Sequence, residues 1–73
     1  MPELKPGSRV ILIDAPPVLL EGLPEEDRSA IRAAIGRPVT FVGFSYGQAE
    51  VEFADLQGDE HTIWVDTYLL RPV

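Results

Sequence analysis

Residues 39–73 contain three short apolar runs separated by two glycine turns, with a one-turn break before the last few residues. In the middle run, Val51 and Phe53 alternate with Glu50 and Glu52. This period of two places apolar side chains on one face of a β-strand and charged side chains on the other. The pattern predicts a small all-β barrel.

The 73-residue length allows a single domain, residues 1–73. A domain of this size buries only about 60% of the surface that its unfolded chain exposes. With no cysteine and a single histidine, the apolar core must supply the stability unless a partner contributes. We therefore expect no cofactor. A homo-oligomer or a complex with a partner is a possible further source of stability.

The charge balance bears on which partners are expected. Twelve acidic and six basic residues give a net charge of -6 and a pI near 4.5, which repels a phosphate backbone unless the cations cluster. The nearest approach to a basic patch is Arg28, Arg32 and Arg37, which stand beside the acidic residues 25–27. The sequence therefore disfavours nucleic-acid binding.

Targeting signals are also absent from the sequence. No run approaches the roughly 18 apolar residues of a membrane span, and the first residues lack a basic region followed by an apolar stretch. We accordingly expect no membrane association and a cytoplasmic location.

The first predicted strand covers Arg9 to Ile13, a run rich in β-branched residues. Val10 and Leu12 are expected to point inward. Ile11 and Ile13 then lie on the outer face, which the following helix is expected to cover.

That helix is predicted from Pro24 to Ile35. Proline at the first position and three acidic residues in the first turn favour a helix start, and Gly36 is a natural left-handed cap. Val18 to Leu23 is apolar without a clear structural signal. The apolar positions recur at helical spacing and are Ala30, Ile31, Ala34 and Ile35.

The second half predicts two hairpins that share a strand, with turns at Gly47 and Gly58. A single helical turn then precedes a short last strand. The predicted elements are strands at Val39–Phe44, Ala49–Ala54 and His61–Val65, a turn of helix at Asp66–Tyr68 and a strand at Leu69–Pro72. The predicted fold is thus a mainly β, five-stranded barrel with one α-helix inserted between strands 1 and 2.

This order resembles the SH3-like barrel, and the segment from Trp64 to Leu69 is similar to the end of SH3 domains. The aromatic and acidic motif that opens the peptide-binding loop of SH3 domains has no counterpart after Ile13. Closer in layout are the accessory barrels of the nitrile hydratase β-subunit, the ferredoxin-thioredoxin reductase variable subunit and the photosystem I accessory subunit. The resemblance to these lies in residues 7–10, 51–53 and 64–70, and it implies an accessory or docking role rather than catalysis.

No cluster of residues predicts catalysis or metal binding. His61 is the only histidine and stands beside Asp59 and Glu60, in a turn where solvation is the ordinary state of such acids. Because the chain also has no cysteine, we expect His61 to lack partners. Glu50 and Glu52 share a strand face, where alternating acids usually keep a strand soluble. We therefore expect that the protein is not an enzyme. The lesser alternative is a small enzyme that uses His61.

The aromatic residues are the best candidates for a binding surface. Trp64 lies on the face opposite Ile63, and the sequence favours packing of Trp64 under the helix. If it is exposed together with Tyr46 and Tyr68, it would anchor a partner, because aromatic residues are enriched at interface hot spots. A second candidate surface contains Leu19 and Leu20, for which packing onto the barrel is favoured.

The sequence does not identify a molecular function. The leading hypothesis is a small non-catalytic protein-protein interaction or enzyme-accessory module with an unidentified protein partner. The alternative from another class is a small barrel that binds nucleic acid.

Overall fold

A computed structural model describes residues 4–73, and residues 1–3 of the predicted domain lie outside the described part of the chain. Residues 4–73 form five strands, two short α-helices and one 3-10 turn. In chain order they are β1 (Arg9–Leu12), α1 (Pro17–Leu20), α2 (Glu25–Ala34), β2 (Pro38–Ser45), β3 (Gln48–Ala54), β4 (Glu60–Val65), the 3-10 turn (Thr67–Leu69) and β5 (Leu70–Pro72). No helix within residues 4–73 has the length and apolarity that crossing a bilayer requires.

The strands form one antiparallel sheet in the order β4-β3-β2-β1-β5. The predicted mainly β fold with five strands is therefore confirmed, and each predicted strand is present to within one residue at either end. Within residues 4–73, no ladder joins β4 to β5, so the sheet is not closed into the predicted barrel.

A β-bulge in β2 shifts the register of its pairing with β3. Phe41 pairs with Val51, but the register shifts before Gly43, and Phe44 then pairs with Ala49. The extra residue places Phe41 and Phe44 on the same face, with their ring centroids 5.0 Å apart in an edge-to-face arrangement. The bulge also bends the strand and increases its twist.

One face of the sheet forms the core. As the alternation predicts, Val10 and Leu12 of β1 are fully buried, and so are Val39, Phe41 and Val51. All four longer strands contribute to a single cluster of buried side chains, which consists of Val10, Leu12, Ile31, Ala34, Val39, Phe41, Ala49, Val51, Ile63, Val65 and Leu69.

Helix α2 covers this core face. The predicted helix is confirmed, with Pro24 and Ile35 as its flanking residues and with Gly36 at a φ of +81° that favours glycine. Ile31 and Ala34 belong to the core cluster. The expectation that the helix covers the outer face of β1 was therefore wrong.

The reason lies in the neighbours of β1. On the outer face Arg9 is in register with Thr40, which is in turn in register with Glu52, so a row of polar side chains crosses the sheet there. Ile13, which follows β1, stays 47% exposed. An apolar helix stripe buries more apolar surface on the opposite face, where every strand presents apolar side chains.

The apolar segment before α2 forms the short helix α1 and does not extend across the sheet. Leu19, Leu20 and Leu23 are half-buried and pack against the core cluster. The favoured interpretation of this segment, packing onto the β-structure, agrees with this arrangement.

Candidate functional site

His61 is placed by the alternation of β4. It lies two residues before Ile63 and four before Val65, so its side chain is on the core face at the end of the strand. Across the ladder it pairs with Phe53, and the two rings stack with centroids 5.3 Å apart and planes at 18°. The imidazole is therefore mostly buried, with 15% of its side chain exposed.

The turn between β3 and β4 presents a carboxylate to this imidazole. One oxygen of Asp55, Oδ1, accepts hydrogen bonds from the backbone N–H groups of Gln57 at 2.9 Å and Asp59 at 3.0 Å. The other oxygen, Oδ2, is 2.8 Å from His61 Nε2. Asp55 therefore builds the turn and orients the imidazole with the same side chain.

Helix α2 supplies a second carboxylate. Asp27, in its first turn, has Oδ1 at 3.5 Å from His61 Nδ1. His61 thus bridges the β3-β4 turn and the start of α2. A cleft of about 460 Å³ lies between them, and its polar lining is Glu26, Asp27, Ser29, Asp55, Gln57, Asp59 and His61.

The bridge changes the acidity of one carboxyl. The hydrogen bond with His61 is the largest cause that lowers the pKa of Asp55 below its ordinary 3.8. Partial burial opposes this effect, and the N–H groups of Asp59 and Gln57 lower the pKa further.

This geometry corrects the expectation that His61 lacks partners. Nε2 of the ring is within hydrogen-bond distance of Asp55, and Nδ1 faces Asp27 at 3.5 Å. Within residues 4–73, no group of three or more acidic or histidine side chains is arranged to hold a metal ion. The alternation from Val65 back to His61 was the sequence signal that the ring is buried, whereas its partners come from distant positions.

Trp64 forms a second candidate site, on the other face of the sheet. It pairs with Glu50 across the β3-β4 ladder and is 45% exposed. The expectation that Trp64 packs under the helix was wrong, because the helix covers the face of Ile63 and Val65, and neighbouring residues on a strand point to opposite faces.

A groove lies beside Trp64. It has a volume of about 260 Å³ and separates β4 from the segment around α1, with Pro16, Val18 and Leu19 on its far side. Val18 is largely exposed. The structure therefore brings together two of the predicted surface residues, Trp64 and Leu19.

The other predicted surface residues lie elsewhere. Leu20 lines a different depression, beside Arg28 and Arg32. Tyr46 and Tyr68 are exposed but do not line the groove next to Trp64. Tyr46 is at the tip of the β2-β3 hairpin with a φ of 51°.

Charge is distributed unevenly along the chain. Residues 38–70, which include β2, β3 and β4, contain six acidic residues and no lysine or arginine. The remaining residues contain six acidic and six basic residues. The net charge of -6 therefore belongs to the part of the sheet that carries Trp64.

Comparisons with protein families, with curated proteins and with solved structures found no match to this chain.

Proposed function

We propose that this protein is a small non-catalytic protein-binding module, related in strand order to SH3-like barrels although within residues 4–73 its sheet is open between β4 and β5, that acts through the surface around Trp64. The observation that carries the proposal is the exposure of Trp64 at the edge of an apolar groove. A large aromatic side chain that is left 45% exposed in so small a domain fits an anchor for a partner, because tryptophan is enriched at interface hot spots.

The strand pairing supports the SH3-like part of the proposal. β2 pairs with β1 through residues 38–40 and with β3 through residues 40–45, so it is shared by both halves of the sheet. The bulge between Phe41 and Gly43 bends β2 where the two halves meet. The 3-10 turn before β5 also matches the order that the sequence resemblance implies.

The surroundings of His61 argue for binding over catalysis. A general base needs a nitrogen that reaches the proton it abstracts, and here the two nitrogens lie 2.8 Å and 3.5 Å from carboxylate oxygens. The bridge between α2 and the β3-β4 turn accounts for this arrangement as a structural contact.

The charge distribution argues for a protein partner over nucleic acid. The exposed aromatic residue lies in the part of the chain that carries the entire net negative charge. Stacking platforms for single strands combine aromatic residues with a positively charged groove, and residues 38–70 contain no lysine or arginine.

A site-specific photo-crosslinking experiment tests the proposal. Trp64 and, as a control, Leu56 are replaced singly by p-benzoylphenylalanine in the cell of origin. Both positions are exposed, but Leu56 lies beside the His61 cleft, away from the groove. We expect a discrete protein adduct from position 64 and none from position 56.

The purified partner is then titrated against the wild type, Trp64→Ala and His61→Gln. We expect Trp64→Ala to weaken binding at least about tenfold, the effect of a hot-spot residue, and His61→Gln to leave it unchanged. Equal adducts from both positions, or full binding by Trp64→Ala with an unchanged fold, would contradict the proposal.

A further inference from the structure

Strand β4 is an open edge of the sheet. It pairs with β3 along its whole length, and within residues 4–73 no backbone hydrogen bond joins its other side to the chain. The N–H and C=O groups on that side are therefore available to another strand.

The two edges of the sheet differ in how they are protected. The edge strand β5 has three residues and includes Pro72, which has no N–H to donate. β4 has six residues, no proline, no lysine and an unbroken register with β3. Short length, proline, lysine and bulges are among the usual protections against pairing, and β4 lacks these four.

The outer face beside this edge is acidic. Glu50 pairs with Trp64, Glu52 pairs with Thr62, and Glu60 begins β4. None of these three glutamates takes part in an ion pair within the described residues. A second copy of the chain would bring the same charges together at the edge, whereas a cationic strand would neutralise them.

We propose that β4 binds an extended, basic segment of a partner protein, which adds to the sheet as a sixth strand. The backbone of β4 supplies the hydrogen bonds. Alternate lysine or arginine side chains of the segment lie on the outer face, near Glu60 and over the ring of Trp64, where a cation is attracted by the π-system. The inference rests on the proposed protein-binding function and names the chemistry of its partner.

The probe for this inference is a capped seven-residue peptide in which lysine and valine alternate. Binding is followed by NMR through the backbone amides of the isotope-labelled protein. We expect shifts centred on β4, and at least fivefold weaker binding when NaCl rises from about 0.1 M to about 1 M, because the Debye length falls from about 10 Å to about 3 Å.

Two modified peptides test the mode of binding without altering the protein. Replacing every lysine with glutamate is expected to abolish binding. N-methylation of alternate residues on one edge of the peptide is expected to abolish binding, and N-methylation on the other edge to preserve it, because only one edge of an added strand pairs with β4.

Two protein variants with equal changes in charge test the role of the acidic face. Glu50→Gln is expected to weaken binding of the lysine peptide at least twofold. Asp14→Asn changes an exposed acidic residue outside residues 38–70 and is expected to leave that binding unchanged. Equal binding of the lysine and glutamate peptides, indifference to N-methylation, or shifts confined to the groove at Pro16 and Leu19 would overturn the inference.

The outcomes also separate this inference from the proposed function. If the crosslinked partner needs Trp64 but the lysine peptide does not bind, the function stands and the basic strand is refuted. A dimer in sedimentation that the lysine peptide fails to dissociate would assign the edge to a second copy and overturn the inference as well.

Discussion

Replacing Ile31 tests whether α2 is fixed to the core face of the sheet. Its side chain is 2% exposed, and Ile31→Ala removes three buried carbon atoms at about 0.8 kcal/mol each, or about 2.4 kcal/mol. The residual cavity adds to this loss, and the higher helix propensity of alanine offsets a few tenths. We expect the free energy of unfolding to fall by about 3 kcal/mol.

That loss is large for a chain of this length. At about 0.05 to 0.15 kcal/mol per residue, the total stability of a 73-residue domain is about 4 to 11 kcal/mol. With a urea m-value near 1 kcal/mol/M, the unfolding midpoint should fall by about 3 M. Far-UV circular dichroism in a urea titration measures this shift.

Ile13→Ala is the matched control. Ile13 is 47% exposed on the outer face, so its truncation is expected to cost less than about 1 kcal/mol. If α2 covered the outer face instead, Ile13→Ala would be the more costly change. A loss below about 1 kcal/mol for Ile31→Ala, with an unchanged m-value, would refute the packing described for α2.

Three further perturbations test local features through the urea midpoint. Gly36→Ala should destabilise by about 1 kcal/mol because its φ is +81°, whereas Gly43→Ala, without a positive φ and with open space around it, should not destabilise; equal losses would contradict this account. Tyr46→Asn should stabilise by about 0.5 kcal/mol, since both central residues of that turn have positive φ, which asparagine tolerates better; no gain would contradict it. The pKa of Asp55 is lowered in the folded state, so the contribution of its carboxylate to the free energy of unfolding is complete above the unfolded pKa near 3.8 and is lost as pH falls through the lower folded pKa. Between pH 4 and pH 2, the stability of Asp55→Asn should therefore fall less steeply than that of the wild type, and an identical slope would contradict this.

Much of the fold was predictable because its signals are local. The alternation around Val51, the glycines at positions 47 and 58, and the helix start after Pro24 each act within a few residues. These signals located the strands and α2 to within a residue or so.

The features that the sequence did not predict depend on contacts between distant segments. The polarity of the neighbouring strands decides which face of β1 the helix covers. Because the helix lies on the core face, Trp64 on the opposite face stays exposed. The partners of His61 lie 6 residues away, at Asp55, and on another element, at Asp27. A pattern confined to the flanking Asp59 and Glu60 contains neither partner.

Hydrogen exchange of the free protein and of its complex with the crosslinked partner locates the surface that the partner covers. We expect binding to slow exchange at the amides of β4 and at the groove beside Trp64, with little change in α2. Slower exchange confined to α2 and the His61 cleft, or no change at residues 60–65, would contradict the claim that this protein binds its partner through the Trp64 surface.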